Sequence, residues 1–237
     1  MIVRKLIFGQ ALRLLCVVAF MATALSLFAN DRSSSWSALI SQRKSEIADA
    51  MLSLDGKILV MGDSHGEFLV RAAEQCETAT VNAAVAGATA GKYLPMLDAM
   101  RFSRKAVLAV VTIGTNDTFR RRATTEAEFR SNSRQIIRKA SSASAQVLVS
   151  AIPLVSPSNA AVFDNDKAIA FSNVLRDECS KTSNCKFIEP HRADRGNKRG
   201  DQRARGYLSS DGVHLSNYAA LSRQLQICPS DLHQHSS

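Results

Sequence analysis

Ser64 follows Gly62-Asp63 at the end of the apolar run Lys57 to Met61 (KILVM). Three more polar clusters follow apolar runs further along: Asn82 with Gly87 in VNAAVAGATAG, Gly114-Thr115-Asn116-Asp117, and Asp211-Gly212-Val213-His214. Acyl transfer needs residues of these types: a nucleophile, a base, a group that orients the base, and donors for the developing oxyanion. Ser64 supplies a hydroxyl at the start of an expected helix, where free N–H groups favour negative charge. His214 is the candidate base. Asp211, three residues before it, is close enough on a turn to hold the ring and fix its tautomer. The N–H of Ser64, the unshielded N–H of Gly87 and the amide of Asn116 are candidate oxyanion donors. Each residue alone has an ordinary use: Ser64 as an N-cap, Asn116-Asp117 and Asp211-Gly212 as turns, His214 as a structural histidine. Their joint occurrence favours the catalytic reading.

The elements that must position these residues alternate. Short apolar runs at Lys57–Met61, Thr78–Val85, Ala106–Ile113, Gln146–Ile152 and Lys186–Glu189 read as five strands. Helical patterns fall at 65–76, 91–103, 125–142, 165–181 and 215–227, and Trp36 to Met51 forms an earlier amphipathic helix that Ser33 to Ser35 could cap. Thr125 and Glu128 have capping-box spacing. Strands too apolar to face water on either side indicate a parallel sheet covered by helices. The expected fold is a flavodoxin-like three-layer α/β/α sandwich with a five-stranded parallel sheet, whose ligand site lies beyond the carboxyl ends of the strands. All four clusters then meet on one rim.

The four blocks, in this order, resemble the SGNH or GDSL hydrolase superfamily: GDS at 62–64, the glycine block around Gly87, GTND at 114–117 and DGVH at 211–214. The resemblance implies Ser64 as nucleophile, His214 as base, Asp211 as its partner, and Ser64, Gly87 and Asn116 as the oxyanion hole. Two positions depart from the pattern. Ala84 stands where many members have glycine, and His65 replaces the leucine of GDSL, as in the GDSH variant of some exported polysaccharide-modifying members.

Competing motifs fit less well. Gly62-Asp63-Ser64-His65-Gly66 also matches the G-x-S-x-G elbow of α/β-hydrolases. That fold needs several strands before its nucleophile, and only about thirty residues separate Ser64 from the expected end of the leader. Gly87 to Lys92 resembles a P-loop with one residue too few between the glycines, and Tyr93 follows the lysine. His65 as base is disfavoured, because adjacent helical residues point about 100° apart; a first-turn surface role or a rim contact with substrate is expected for it. Asp63 is expected to be a hydrogen-bonding turn residue.

The chain has 237 residues, 46% hydrophobic and 22% charged, which suits one domain plus a short extra segment. Arg4, Lys5 and Arg13 precede an apolar run from Leu14 to Ala29, the arrangement of an export signal. An uncleaved membrane anchor is the other reading. The expected organisation is a signal peptide or anchor over 1–29, a helix over 30–53, the hydrolase domain over 54–229 and a polar tail over 230–237 that holds His233 and His235. Losing Arg4, Lys5 and Arg13 lowers the formal charge from +9 to +6. Cys76, Cys179, Cys185 and Cys228 remain after the signal; they could form two disulfides in any of three connectivities, Cys179–Cys185 closing a short loop and leaving Cys76 with Cys228, or stay as buried thiols. There is no C-x-x-C and no zinc-ligand spacing, so neither a cofactor nor a metal is expected.

The expected function is an exported, periplasmic or secreted, serine esterase acting on short acyl esters, acetyl above all. A polysaccharide O-acyltransferase with the same acyl-enzyme and a non-catalytic glycan-binding module are the alternatives. The substrate would be an ester on a polysaccharide or lipid. Nucleic acid is not an expected partner, and peripheral membrane contact would require an uncleaved N-terminus. The basic stretch His191 to Gly206 could attract an anionic substrate or simply be solvated, and Tyr93, Phe102, Phe119 and Tyr207 are candidates for lining a pocket.

Overall fold

The computed structural model describes residues 36–190 and 208–228. The leader over 1–29, the caps at 33–35, the basic stretch 191–206, Tyr207 and the tail over 230–237 lie outside the described residues. Two compact units divide between Lys44 and Ser45. The described part of the first, residues 36–44, is helical, and this helix, α1, runs over 36–51.

Five parallel strands form one sheet: β1 (Ile58–Gly62), β2 (Thr80–Ala84), β3 (Ala106–Thr112), β4 (Ser144–Ser150) and β5 (Cys185–Ile188), in the order β2-β1-β3-β4-β5. The connecting helices are α2 (Ser64–Gln75), α3 (Ala90–Leu97), α4 (Glu126–Ala143) and α5 (Asn165–Ser180), and α6 (Tyr218–Gln224) follows the last strand. From β1 the chain steps one way to β2, then reverses to β3, β4 and β5. Right-handed crossovers therefore put α2 on one face and α3, α4 and α5 on the other. The result is the expected three-layer α/β/α fold.

Side chains alternate across β1. Ile58 and Val60 join Leu69, Val70, Leu221 and Leu225 under α2 and α6. Leu59 and Met61 face the other layer, where Phe129 of α4 and Phe171 of α5 stack with centroids 4.2 Å apart. Every residue of β1 is buried, as a central parallel strand requires.

Two helices are shorter than their sequence patterns. α3 stops at Leu97 rather than 103, since Pro95 in its last turn cannot donate a backbone hydrogen bond. α6 begins at Tyr218 rather than 215 because Asn217 caps it, accepting from the Ala220 N–H at 2.9 Å, while Leu215 pairs with Leu208 in an isolated bridge. The Thr125–Glu128 capping box of α4 forms as expected. The four cysteines are bonded rather than free, as Cys76–Cys228 and Cys179–Cys185.

Candidate active site

The register aligns Gly62 with Ala84 on one side and Thr112 on the other, so three of the polar segments leave the sheet at one level. Gly62 has φ +130, and a Cβ there would sit 1.9 Å from the Thr112 carbonyl oxygen. Only glycine lets the chain turn so close to β3 and enter α2 immediately. Asp63 caps α2, accepting from the His65 N–H at 3.1 Å through Oδ1 and from the Thr115 N–H at 3.3 Å through Oδ2. It is fully buried, and burial pushes its carboxyl up to about 7 against those backbone donors, with the neighbouring Asp117 adding to the rise. Its role is the hydrogen-bonding one expected, and it also ties the β1 turn to the β3 turn.

Ser64 is the first residue of α2 and half-buried. Its Oγ lies 2.8 Å from His214 Nε2. His214 Nδ1 lies 2.6 Å from Asp211 Oδ2. Burial raises the Asp211 carboxyl, but the Ser209 hydroxyl, the His214 ring and the Val213 and His214 N–H groups outweigh it and hold the group well below the usual carboxylate range. An ionised Asp211 has no proton to give, so the ring must donate from Nδ1. The Nε2 lone pair then faces the Ser64 hydroxyl. Gly212, at φ +66, makes the intervening turn; its carbonyl accepts from the Ser156 N–H at 2.8 Å, and Asn159 Nδ2 donates to the Asp211 carbonyl at 2.7 Å. The loop after β4 thus holds the Asp–His turn, a contribution that no local sequence signal announces.

The other candidate donors lie in the segments that follow β2 and β3. Gly87, exposed at φ +76, lies between two anchored residues. The Ala86 N–H donates to Glu67 of α2 at 2.7 Å, and the Ala88 carbonyl accepts from Asn116 Nδ2 at 3.1 Å. Asn116 sits in a single 3₁₀ turn, Thr115–Thr118. One amide hydrogen of Asn116 serves Ala88, leaving the second for another acceptor. Asp117, next to it, is buried and accepts from the Ala90 N–H at 2.9 Å; burial raises its carboxyl to about 6. Asn82 stays local, accepting from the Ala84 N–H at 3.0 Å.

Three expectations need correction. His65 is not on the surface but 2% exposed: the 100° step from Ser64 turns it inward against α6, where its Nδ1 lies 2.7 Å from the Tyr218 hydroxyl and its ring 5.2 Å from that of His214. Tyr93 is in the core rather than at a cleft surface. It is fully buried and donates to the Ala83 carbonyl at 2.6 Å. Phe102 precedes β3 and therefore lies at the opposite end of the sheet, beneath the Lys139 ammonium. Phe119 remains at the site end, packed on Phe163 at 4.2 Å. The phenyl ring that does approach the base is that of Phe68, 4.8 Å from His214, with Tyr218 stacked on Phe68 at 5.0 Å. Phe68 sits four residues after Ser64 on the same helical face, a spacing that could have flagged it.

A family model of GDSL-like lipases and acylhydrolases matches residues 62–219. The chain belongs to this family. It is a hydrolase acting on ester bonds. No curated protein matches the GDSL-like chain. Among solved structures it is similar to one described as a platelet activating factor from Streptococcus pneumonia, at 22% identity and a TM-score of 0.66 over 86% of this chain and 97% of the other. A GDSL-like lipase from Bacteroides thetaiotaomicron gives 16% and 0.61 over 79% and 96%. An acetylxylan esterase from Geobacillus stearothermophilus gives 15% and 0.56 over 74% and 97%. At these identities the likeness concerns the fold, the same α/β sandwich in each case.

Proposed function

We propose that this GDSL-like hydrolase is an exported serine esterase that removes short acyl groups, acetyl foremost, through an acyl-enzyme on Ser64. The observation that carries this reading is the continuous hydrogen-bonded line Asp211–His214–Ser64, at 2.6 and 2.8 Å. His214 Nε2 takes the Ser64 proton as Oγ attacks the ester carbonyl carbon. The resulting oxyanion is met by the N–H groups of Ser64 and Gly87 and the free amide hydrogen of Asn116. As the C–O bond breaks, Nε2 returns the proton to the departing alcohol. Water, deprotonated by His214, then attacks the acyl-enzyme and releases the carboxylic acid.

A sugar-borne ester finds support nearby. A cleft of about 520 Å³ adjoins the Asn116 turn, between the N-termini of α3 and α4, and is lined by Thr89, Gly91, Asp117, Thr124, Glu128 and Asn132. Hydroxyl, amide and carboxylate groups suit a polyhydroxylated carrier better than a fatty chain. One neighbour of the same fold is an acetylxylan esterase. Export is supported by the leader-like residues 1–29 and by two disulfides, which persist in oxidising compartments.

Turnover of p-nitrophenyl esters of increasing acyl length tests the substrate assignment. Acetate should give the highest kcat/KM, with octanoate at least tenfold lower; a preference for octanoate would contradict the assignment. Adding acetylated xylan and an unacetylated glycan acceptor, and following free acetate against acetyl-glycan, separates hydrolysis from acyl transfer.

A further inference from the structure

The 3₁₀ turn that carries Asn116 is four residues long. So short a turn has little stability of its own, since fixing its dihedral angles yields few hydrogen bonds. Outside groups must therefore hold it. Asp63 accepts the Thr115 N–H, and Asp117 reaches across to Ala90. Neither bonds Asn116 itself. Ala88 holds its side chain, and Arg122, six residues on, holds its backbone: Nη1 donates to the Asn116 carbonyl oxygen at 2.8 Å.

The Arg122 side chain and backbone are each anchored. Its guanidinium lies over the Phe119 ring, 4.9 Å from the centroid. Lys167 of α5 donates its Nζ to the Arg122 carbonyl at 3.1 Å. The charges of Arg122 and Lys167 oppose the rise that burial imposes on the Asp117 carboxyl. A charged donor on a half-buried carbonyl is a stronger and more directional link than a neutral one.

We propose that Arg122 is a positioning residue for the oxyanion site: it fixes the backbone of Asn116 so that the amide not used by Ala88 points where the oxyanion forms. This rests on Asn116 being an oxyanion donor. Arg122 acts only through Asn116 and makes no contact with substrate. Its removal leaves the Asn116 carbonyl to water and lets the turn shift, and displacements of about 1 Å at a reacting centre can cost on the order of 10²-fold in rate.

The test is a double-mutant cycle in the full-length protein with p-nitrophenyl acetate, kcat, KM and Tm being measured for each variant. Arg122→Ala is expected to lower kcat by about 10- to 100-fold with KM changed less than about threefold. Arg122→Lys, which keeps a charged donor, should recover most of that loss. In the Asn116→Ala background, Arg122→Ala should lower kcat by less than about threefold, while its effect on Tm is the same in both backgrounds. Arg122→Lys also serves as the readable variant if Arg122→Ala does not fold. An Arg122→Ala protein with unchanged kcat, or one whose kcat loss is equal in both backgrounds, overturns the clamp while leaving the Asn116 assignment intact. An Asn116→Ala protein with unchanged kcat overturns the oxyanion assignment and the clamp together.

Discussion

Asp211 and His214 are three residues apart, and one carboxylate serves both ends of the turn between them: Oδ1 accepts the backbone N–H of His214 at 2.9 Å, and Oδ2 meets its ring Nδ1 at 2.6 Å. The same oxygen that caps the turn also accepts from Val213 and from the Ser209 hydroxyl. One side chain therefore bonds both the turn backbone and the ring, while Ser156 and Asn159 brace the same turn from the loop after β4.

Asp211→Asn separates those two roles. The asparagine oxygen can still cap the turn, but an amide NH₂ facing Nδ1 forces the ring proton onto Nε2, against Ser64. The expected outcome is a fall in kcat on the order of 10³–10⁴ with little loss of Tm, read from steady-state kinetics and thermal melts. A kcat within tenfold of the unmodified protein would show that Asp211 does not set the tautomer.

The disulfides differ in what they close. Cys76, at the C-cap of α2, joins Cys228 beyond α6 across 152 residues, whereas Cys179 and Cys185 are 6 apart. Loop-closure entropy predicts about 5 kcal/mol for the long bridge and about 2 for the short one. Replacing Cys76 and Cys228 together by serine should therefore lower Tm more than replacing Cys179 and Cys185. It should also lower kcat, because α6 buries Tyr218 against His65 and Phe68 behind the base. Equal melting losses for the two pairs would refute this ordering.

Much of this site is legible in the sequence because each block follows a strand end. Gly62, Gly87, Asn116 and His214 could be assigned to one rim once the alternation of strand and helix patterns indicated a parallel sheet; the order β2-β1-β3-β4-β5 came from the structure. What could not be read has a common physical origin: it depends on side-chain direction, in two cases across long sequence separations. Arg122 reaches back to Asn116 from the end of a loop, Asn159 supports the Asp211 turn from 52 residues away, and His65 turns inward because α6 offers it a tyrosine 153 residues later. Tyr93 looks like a pocket aromatic next to a motif, yet its hydroxyl is spent on β2. No local pattern distinguishes a ring that faces a cleft from one that fills a core.

Asp63 gives a pH signature. Its folded-state carboxyl stands at about 7, above the ordinary value of 3.8, because burial penalises the charge. A raised acid stabilises the fold fully below the unfolded value and loses that contribution as pH rises through the folded one. Asp117, raised to about 6, acts in the same direction. Glu178, held down at about 2 by Arg134 first among its basic neighbours, is ionised throughout that window and contributes no slope. Tm should therefore decline between about pH 5 and pH 7 and level off above it, and Asp63→Asn should flatten the decline. Parallel Tm profiles for the two proteins would exclude Asp63 as its source.

The central claim, that Ser64 is the attacking group, is tested most directly by a fluorophosphonate probe followed by peptide mass spectrometry. The predicted result is a single adduct on Ser64, absent from Ser64→Ala and strongly slowed in His214→Ala. A protein that hydrolyses p-nitrophenyl acetate yet carries the probe on another residue, or on none, would contradict it.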